Sequence, residues 1–330
     1  MRLLNTTSFK LEEFPIEYRR PQYAILSHCW GEGEVLFEHM ESMDRKALRS
    51  MKGYSKVIHS CKRARADGHR YIWIDTCCID KRSSAELSLA INSMWNWYRH
   101  SEVCYAYLAD VSAGDDYSFR RSRWFLRGWT LQELIAPEIV NFYDKNWDYI
   151  GSRYSQASQI VEITGIREHV LRRHTHGLSL NLEAHLCCKE CRVTTNFDDI
   201  LKSTSVATKM SWAKRRETTR IEDQSYCLLG LFGVYMPLLY GEGNRAWLRL
   251  LEEIIKCTGD QSILAFSHYD YTAFAAVTPF APSPESFASN IEMIKGHSSK
   301  AIEEFKPYEV RGLHGKATLG PARALGFLVG

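Results

Sequence analysis

A tryptophan and a glutamate, Trp129 and Glu133, stand four residues apart just past Gly128, in the run Arg127-Gly128-Trp129-Thr130-Leu131-Gln132-Glu133-Leu134 that Pro137 closes. On a helix, positions i and i+4 share a face. An indole beside a carboxylate can form the wall and the charge of a small-molecule pocket. It can equally be a core tryptophan beside a surface glutamate, and spacing alone leaves both open. His28-Cys29-Trp30-Gly31 follows a short apolar run, with Gly31 and Gly33 permitting close backbone approach. Asp75 follows a second apolar run, where it could hold a ligand's hydroxyls or cap the next loop.

Several other patterns carry less. Ser27, His28 and Cys29 form no triad, because neighbours on a strand point to opposite faces. Neither Cys29 nor the Cys77-Cys78 pair has an ordered base in sequence that would make it a nucleophile. Glu86 follows Ser83-Ser84 and reads as a capping-box partner. Gly241-Glu242-Gly243-Asn244-Arg245 precedes a helix but lacks the Lys-Ser/Thr pair of a phosphate loop, so it reads as a turn and N-cap. Cys187-Cys188-x-x-Cys191, near His174, His176 and His185, is the one metal-like cluster. Its cysteines crowd together, whereas structural zinc takes two separated ligand pairs, so no metal is expected.

These residues must be positioned by a scaffold. Tyr23–Ser27, Tyr71–Ile74, Val103–Leu108 and Ile139–Tyr143 read as strands, apolar on both faces. Val57, Ile58, Cys61 and Ala64, then Leu87, Ile91, Met94, Trp95 and Tyr98, recur at helical spacing between them. Such alternation predicts an α/β fold with a mostly parallel sheet flanked by helices, of the flavodoxin-like kind. Ligands of such sheets bind at the carboxyl ends of the strands, which places His28 and Asp75 on the ligand edge. Residues 1–19 read as an N-terminal extension, 20–170 as the α/β core and 171–208 as a loop or insertion. Residues 209–267 read as a helical lobe, with Ala246, Trp247, Leu250, Leu251, Ile254 and Ile255 on one helix face, and 268–330 as a poorly structured tail.

The 330 residues carry a net charge of +3, too small for a nucleic-acid footprint, so Lys62–Arg65 and Lys214–Arg216 read as solvated faces. The longest apolar stretch, Tyr226–Tyr240, is broken by Gly230, Gly233 and Pro237, so no membrane span is expected. Met1–Lys10 lacks the apolar core of a secretory signal, and the ten cysteines then read as reduced thiols in the cytoplasm.

Several runs together resemble the fungal heterokaryon incompatibility (HET) domain: Tyr23–Gly31, Tyr71–Asp80, Ser83–Met94, Arg123–Leu134, Arg216–Asp223 and Leu239–Trp247. They follow the family's order over roughly residues 20–265, with 177–203 as extra sequence. The resemblance implies non-self recognition and regulated cell death, self-association, and a separate sensor protein such as a nucleotide-switch receptor. More distantly, Tyr23–Gly31, Glu86-Leu87 with Ala90-Ile91, and Gly128–Leu134 are similar to Toll/interleukin-1 receptor (TIR) domains, with Thr130 where the enzymatic motif often has Cys. That second likeness implies cleavage of the nicotinamide–ribose bond of NAD as substrate, with no resident cofactor. Glu133 would be the catalytic carboxylate, and Trp129, His28, Cys29, Trp30, Gly31 and Asp75 would bind the dinucleotide. A non-enzymatic adaptor that recruits death effectors is the alternative implied by the same fold.

Overall fold

Four runs without polar alternation form the parallel centre of a sheet. A computed structural model describes residues 1–15, 19–172, 197–266, 280–287, 308–312 and 315–319. In chain order the elements are β1 (Arg2–Asn5), β2 (Leu11–Glu13), β3 (Ala24–His28), α1 (Phe37–Ser42), α2 (Arg45–Arg49), α3 (Tyr54–Ala66), β4 (Tyr71–Trp73), α4 (Asp75–Cys78), α5 (Ser84–Arg99), β5 (Val103–Tyr107), α6 (Asp116–Arg120), α7 (Thr130–Ile135), β6 (Val140–Tyr143) and β7 (Tyr149–Ser152). There follow α8 (Ala157–Thr164), α9 (Glu168–Leu171), α10 (Phe197–Ser203), α11 (Val206–Ser211), α12 (Asp223–Tyr226), α13 (Leu229–Phe232) and α14 (Arg245–Cys257), then β8 (Tyr308–Gly312) and β9 (Gly315–Leu319).

The sheet order is β2-β1-β4-β3-β5-β6-β7. The central strands β4, β3, β5 and β6 run parallel, and the flanking β1, β2 and β7 pair antiparallel. Every residue of β3 and β4 is buried, as expected of strands covered on both faces. The chain passes from β3 to β4 on one side and then returns to β5 on the other. The order therefore reverses between β3 and β5, the point at which open α/β sheets leave a crevice at their carboxyl ends. Ser27 pairs with Ala106 and His28 with Tyr107 at that edge.

α5 crosses behind β3 and β4. Tyr23 donates its hydroxyl to Trp97 O at 2.6 Å, and Trp73 packs edge-on against Trp97 and Tyr98. α14 buries Ala246, Trp247, Leu250, Leu251 and Ile254 and leaves its opposite face wet, which is the amphipathic pattern of a helix on a core.

Four stretches differ from the sequence reading. Residues 1–19 are more than an extension, because β1 and β2 lengthen the sheet and bury Leu3 and Leu4 completely. Within the expected loop, 197–203 and 206–211 are helices, and Ser205 caps the second by accepting from Thr208 N. The rest of that loop, with His174, His176, His185 and the Cys187-Cys188-Cys191 cluster, lies outside the described residues. Within the expected tail, Phe280, Ala281 and Phe287 are buried, and Trp247 Nε1 donates to Ala281 O at 2.7 Å. Within the expected helical lobe, 212–239 forms only two single-turn helices, α12 and α13, joined by turns.

The chain divides into two compact units, Met1–Phe287 with the sheet and helices, and Ala288–Gly330. In the second, β8 and β9 pair as an antiparallel hairpin from Tyr308↔Leu319 to Gly312↔Gly315. Among the described residues no helix is long and apolar enough to cross a membrane, and no His/Cys/Asp/Glu group could hold a metal ion.

Candidate functional site

Glu133 lies on the one and a half turns of α7, and three devices fix that short helix. At its start, Gly128 donates its N–H to Glu217 O at 2.9 Å. A Cβ on Gly128 would meet Thr218 Cγ2 at 2.5 Å and Cys227 Sγ at 3.2 Å, so this close approach needs glycine. In the first turn, Thr130 donates its hydroxyl to Trp124 O and Arg127 O, and accepts from Arg216 Nη1 at 2.9 Å. At the far end, the buried Arg153 donates to Leu134 O, Pro137 O and Glu138 O, satisfying carbonyls that a helix leaves unpaired.

So held, Glu133 is 7% exposed and faces the end of β3. Ser27 donates its hydroxyl to Glu133 Oε2 and accepts from Trp124 Nε1 at 2.8 Å. Trp124 is itself buried against Phe125 and Phe142. Tyr98 donates to Leu26 O at 3.0 Å and also faces the carboxylate. Burial, the largest effect, pushes the Glu133 carboxyl up to about 8. The Ser27 and Tyr98 hydrogen bonds and the Arg216 charge oppose it, while the Asp75 charge adds to it.

Trp129, the partner suggested by helical spacing, is the N-cap residue of α7, and its indole meets Asp223 of α12. The indole in the Glu133 network is instead Trp124. Gly128–Trp129 thus ties α7 to the C-terminal lobe, and Trp124 ties it to β3.

The remaining predicted residues gather on the neighbouring side of β3. Trp30 is 46% exposed, donates Nε1 to Asp75 Oδ2 at 2.7 Å, and has the Lys81 ammonium 3.4 Å from its ring centroid. Asp75 opens α4, where the sequence left open a role toward ligand or loop. His28 is buried, with Nε2 at 3.9 Å from both Glu34 Oε2 and Asp75 Oδ1, and neither ring nitrogen has a hydrogen-bond partner. Burial lowers it to about 4, aided by the Lys56 charge, so the ring is neutral at pH 7. Gly31 donates its N–H to Glu34 Oε1 at 2.7 Å, and that carboxylate also takes the Lys56 ammonium. The Cys29 thiol is pushed up to about 12, first by burial and then by the Glu133 charge, so it is no thiolate nucleophile.

Ser27, Trp124, Lys81 and Arg216 have contacts that sequence reading did not assign. Trp124 and Arg216 lie at the start of two of the runs singled out above, second in Arg123–Leu134 and first in Arg216–Asp223. Only the fold shows that both runs converge on α7. Glu86 accepts from Asp80 N at 2.8 Å and from Arg2, bracing the α4–α5 loop instead of closing the capping box on Ser83 N. Gly241 and Gly243 donate their N–H groups to Glu222 Oε1, which makes that glycine-rich run a turn, as its sequence suggests.

The family model for heterokaryon incompatibility proteins matches residues 23–123, the segment from β3 into the turn that carries Trp124. The chain is also 41% identical over 249 residues, 72% of its length, to the vegetative incompatibility protein HET-E-1 of Podospora anserina. The chain belongs to the heterokaryon incompatibility (HET) family. Its match covers 16% of that relative, so the chain corresponds to a small part of the longer protein. No solved structure matches the chain. Within this HET protein the family match contains Ser27, His28, Trp30 and Asp75, and Glu133 lies ten residues past its end.

Proposed function

We propose that the chain is a cytoplasmic protein of fungal non-self recognition and regulated cell death that hydrolyses NAD when clustered. The observation that carries this reading is a carboxylate, Glu133, held against Ser27 at the carboxyl edge where the strand order reverses. The incompatibility role named for the HET-E-1 relative supports the biological half of it. The C1′–N bond of the nicotinamide riboside breaks with its electron pair passing to the ring, which leaves as neutral nicotinamide. Water then adds to C1′ and releases a proton. The sugar passes through an oxocarbenium-like state, and a fixed carboxylate beside it stabilises the developing positive charge.

Glu133 must be ionised for that role. Its carboxyl, raised to about 8, is mostly protonated in the resting chain at neutral pH. A cationic nicotinamide ring close by favours the ionised form, so substrate itself prepares the site. Trp30 offers an exposed indole face, and Asp75 and Gly31 line the same edge. Self-association, and a separate sensor such as a nucleotide-switch receptor, would supply the trigger.

A second reading, a non-enzymatic adaptor that self-associates and recruits death effectors, is favoured by how completely Glu133 is enclosed. Expression in yeast separates the two. The enzyme reading expects growth arrest and NAD loss from the chain, and neither from Glu133→Gln. Equal toxicity of both proteins with unchanged NAD would select the adaptor.

A further inference from the structure

A cavity of about 370 Å³ lies between α5, α10, α11 and the turn after α13, with none of the Glu133 network in its wall. Its size falls within the roughly 300–1,000 Å³ of small-molecule sites. Trp95, Phe232 and Tyr235 give it aromatic sides, and Arg99, Lys202 and Lys209 bring three cations to it. Gly230 makes this packing possible, since a Cβ there would lie 2.1 Å from Trp95 Cβ.

The three cations are not equivalent. Arg99 is taken by Asp198, with two contacts of 2.6 and 2.9 Å. Lys209 is half-buried, and its ammonium lies 5.0 Å from the Phe232 ring centroid. Among the described residues it makes no hydrogen bond and no ion pair. Burial holds it below its ordinary range, with only the Asp260 charge opposing. That carboxylate accepts from Val206 N and Ser262 N. Lys202 is exposed at the rim and likewise has no partner among the described residues. A partly desolvated ammonium with only an aromatic ring beside it, and no hydrogen-bond acceptor or counter-ion among the described residues, is costly, and an anion in the cavity relieves that cost.

We propose that this cavity is a binding site for a small aromatic phosphate. Its ring packs against Trp95, Phe232 and Tyr235, and its phosphate is held by Lys209 and Lys202. Two ammonium groups, each with three rotatable donors, line the same cavity and suit a dianion, and the aromatic side chains beside them favour a ligand that also carries a ring. The site is independent of the role given to Glu133.

The test is a titration of the isotope-labelled chain with phenyl phosphate, phenol and inorganic phosphate, followed by amide NMR. Phenyl phosphate is expected to shift the Gly230 and Gly233 amides and to bind at least tenfold more tightly than either fragment. Lys209→Met is expected to weaken it at least tenfold, Lys202→Gln by a smaller factor, and Glu133→Gln not at all. Lys202→Gln alters only an exposed side chain, so it keeps the test valid should Lys209→Met fold poorly. Absence of binding, equal affinity in both lysine variants, equal binding of inorganic phosphate, or shifts centred on residues 27–31 would each overturn the proposal.

Discussion

Ser27 and His28 are neighbours at the end of β3, and strand alternation sends them into opposite environments. The Ser27 hydroxyl is wholly buried and fully used, accepting from Trp124 and donating to Glu133. His28 is as deeply buried and uses neither ring nitrogen, although Glu34 and Asp75 stand 3.9 Å away. One side is a closed hydrogen-bond network that fixes a carboxylate. The other has polar groups in reserve, His28 and the Lys81 ammonium, around an indole that solvent can reach. The comparison separates the part of the site that positions from the part able to take up something new.

The largest expected effect lies in pH dependence, where the two sides have opposite signs. Burial disfavours the charged form of both groups, which raises an acid and lowers a base. Glu133 rises from 4.5 to about 8, so the folded chain keeps a proton that the unfolded chain loses. Its contribution is complete below pH 4.5 and is lost as pH climbs to 8, by an amount of order 5 kcal/mol. His28 falls from 6.5 to about 4, so its contribution is complete above pH 6.5 and is lost as pH drops toward 4, by of order 3 kcal/mol. Urea denaturation across pH 4–9 should show Glu133→Gln flattening the alkaline limb and His28→Asn the acid limb. Parallel curves for wild type and both variants would erase the contrast.

Next in size is the contrast between the two tryptophans. Trp124→Ala removes a fully buried indole and deprives Ser27 of a donor, at a cost of about 3–5 kcal/mol. Trp30→Ala removes a side chain that is 46% exposed and should cost less than about 1 kcal/mol. Equal losses in thermal or urea melts would mean that the exposed side is as structural as the closed one.

Smaller again is Ser27→Ala, which leaves Trp124 Nε1 and Glu133 without their shared partner, for about 1–3 kcal/mol. Since the Ser27 hydrogen bond pulls the Glu133 carboxyl down, its loss should move the alkaline limb to higher pH. An unmoved limb would detach Ser27 from the charge state of Glu133.

Much of the sheet was legible because β3, β4, β5 and β6 lack polar alternation, and uninterrupted apolar runs bounded by turns leave little choice but a covered parallel sheet. β1 and β2 were not, since four- and three-residue strands draw their stability from pairing with β4 and each other and carry little pattern of their own. Glu133 could be singled out by its spacing from Trp129, but spacing on a helix says nothing of what faces that helix. The indole that reaches the network is Trp124, in the turn before α7, and Trp129 turns to Asp223 instead. Arg216 meets Thr130 from 86 residues away, a contact that no local pattern can display.

The central claim is that Glu133 is a catalytic carboxylate. Its most direct test is nicotinamide release from NAD by the purified chain, clustered by fusion to an oligomerising partner, as a function of pH. The account predicts release that rises with pH toward about 8 in wild type and falls at least a hundredfold in Glu133→Gln, with the fold unchanged by circular dichroism. Release that Glu133→Gln leaves intact, or none from the clustered wild-type chain at any pH, would contradict it.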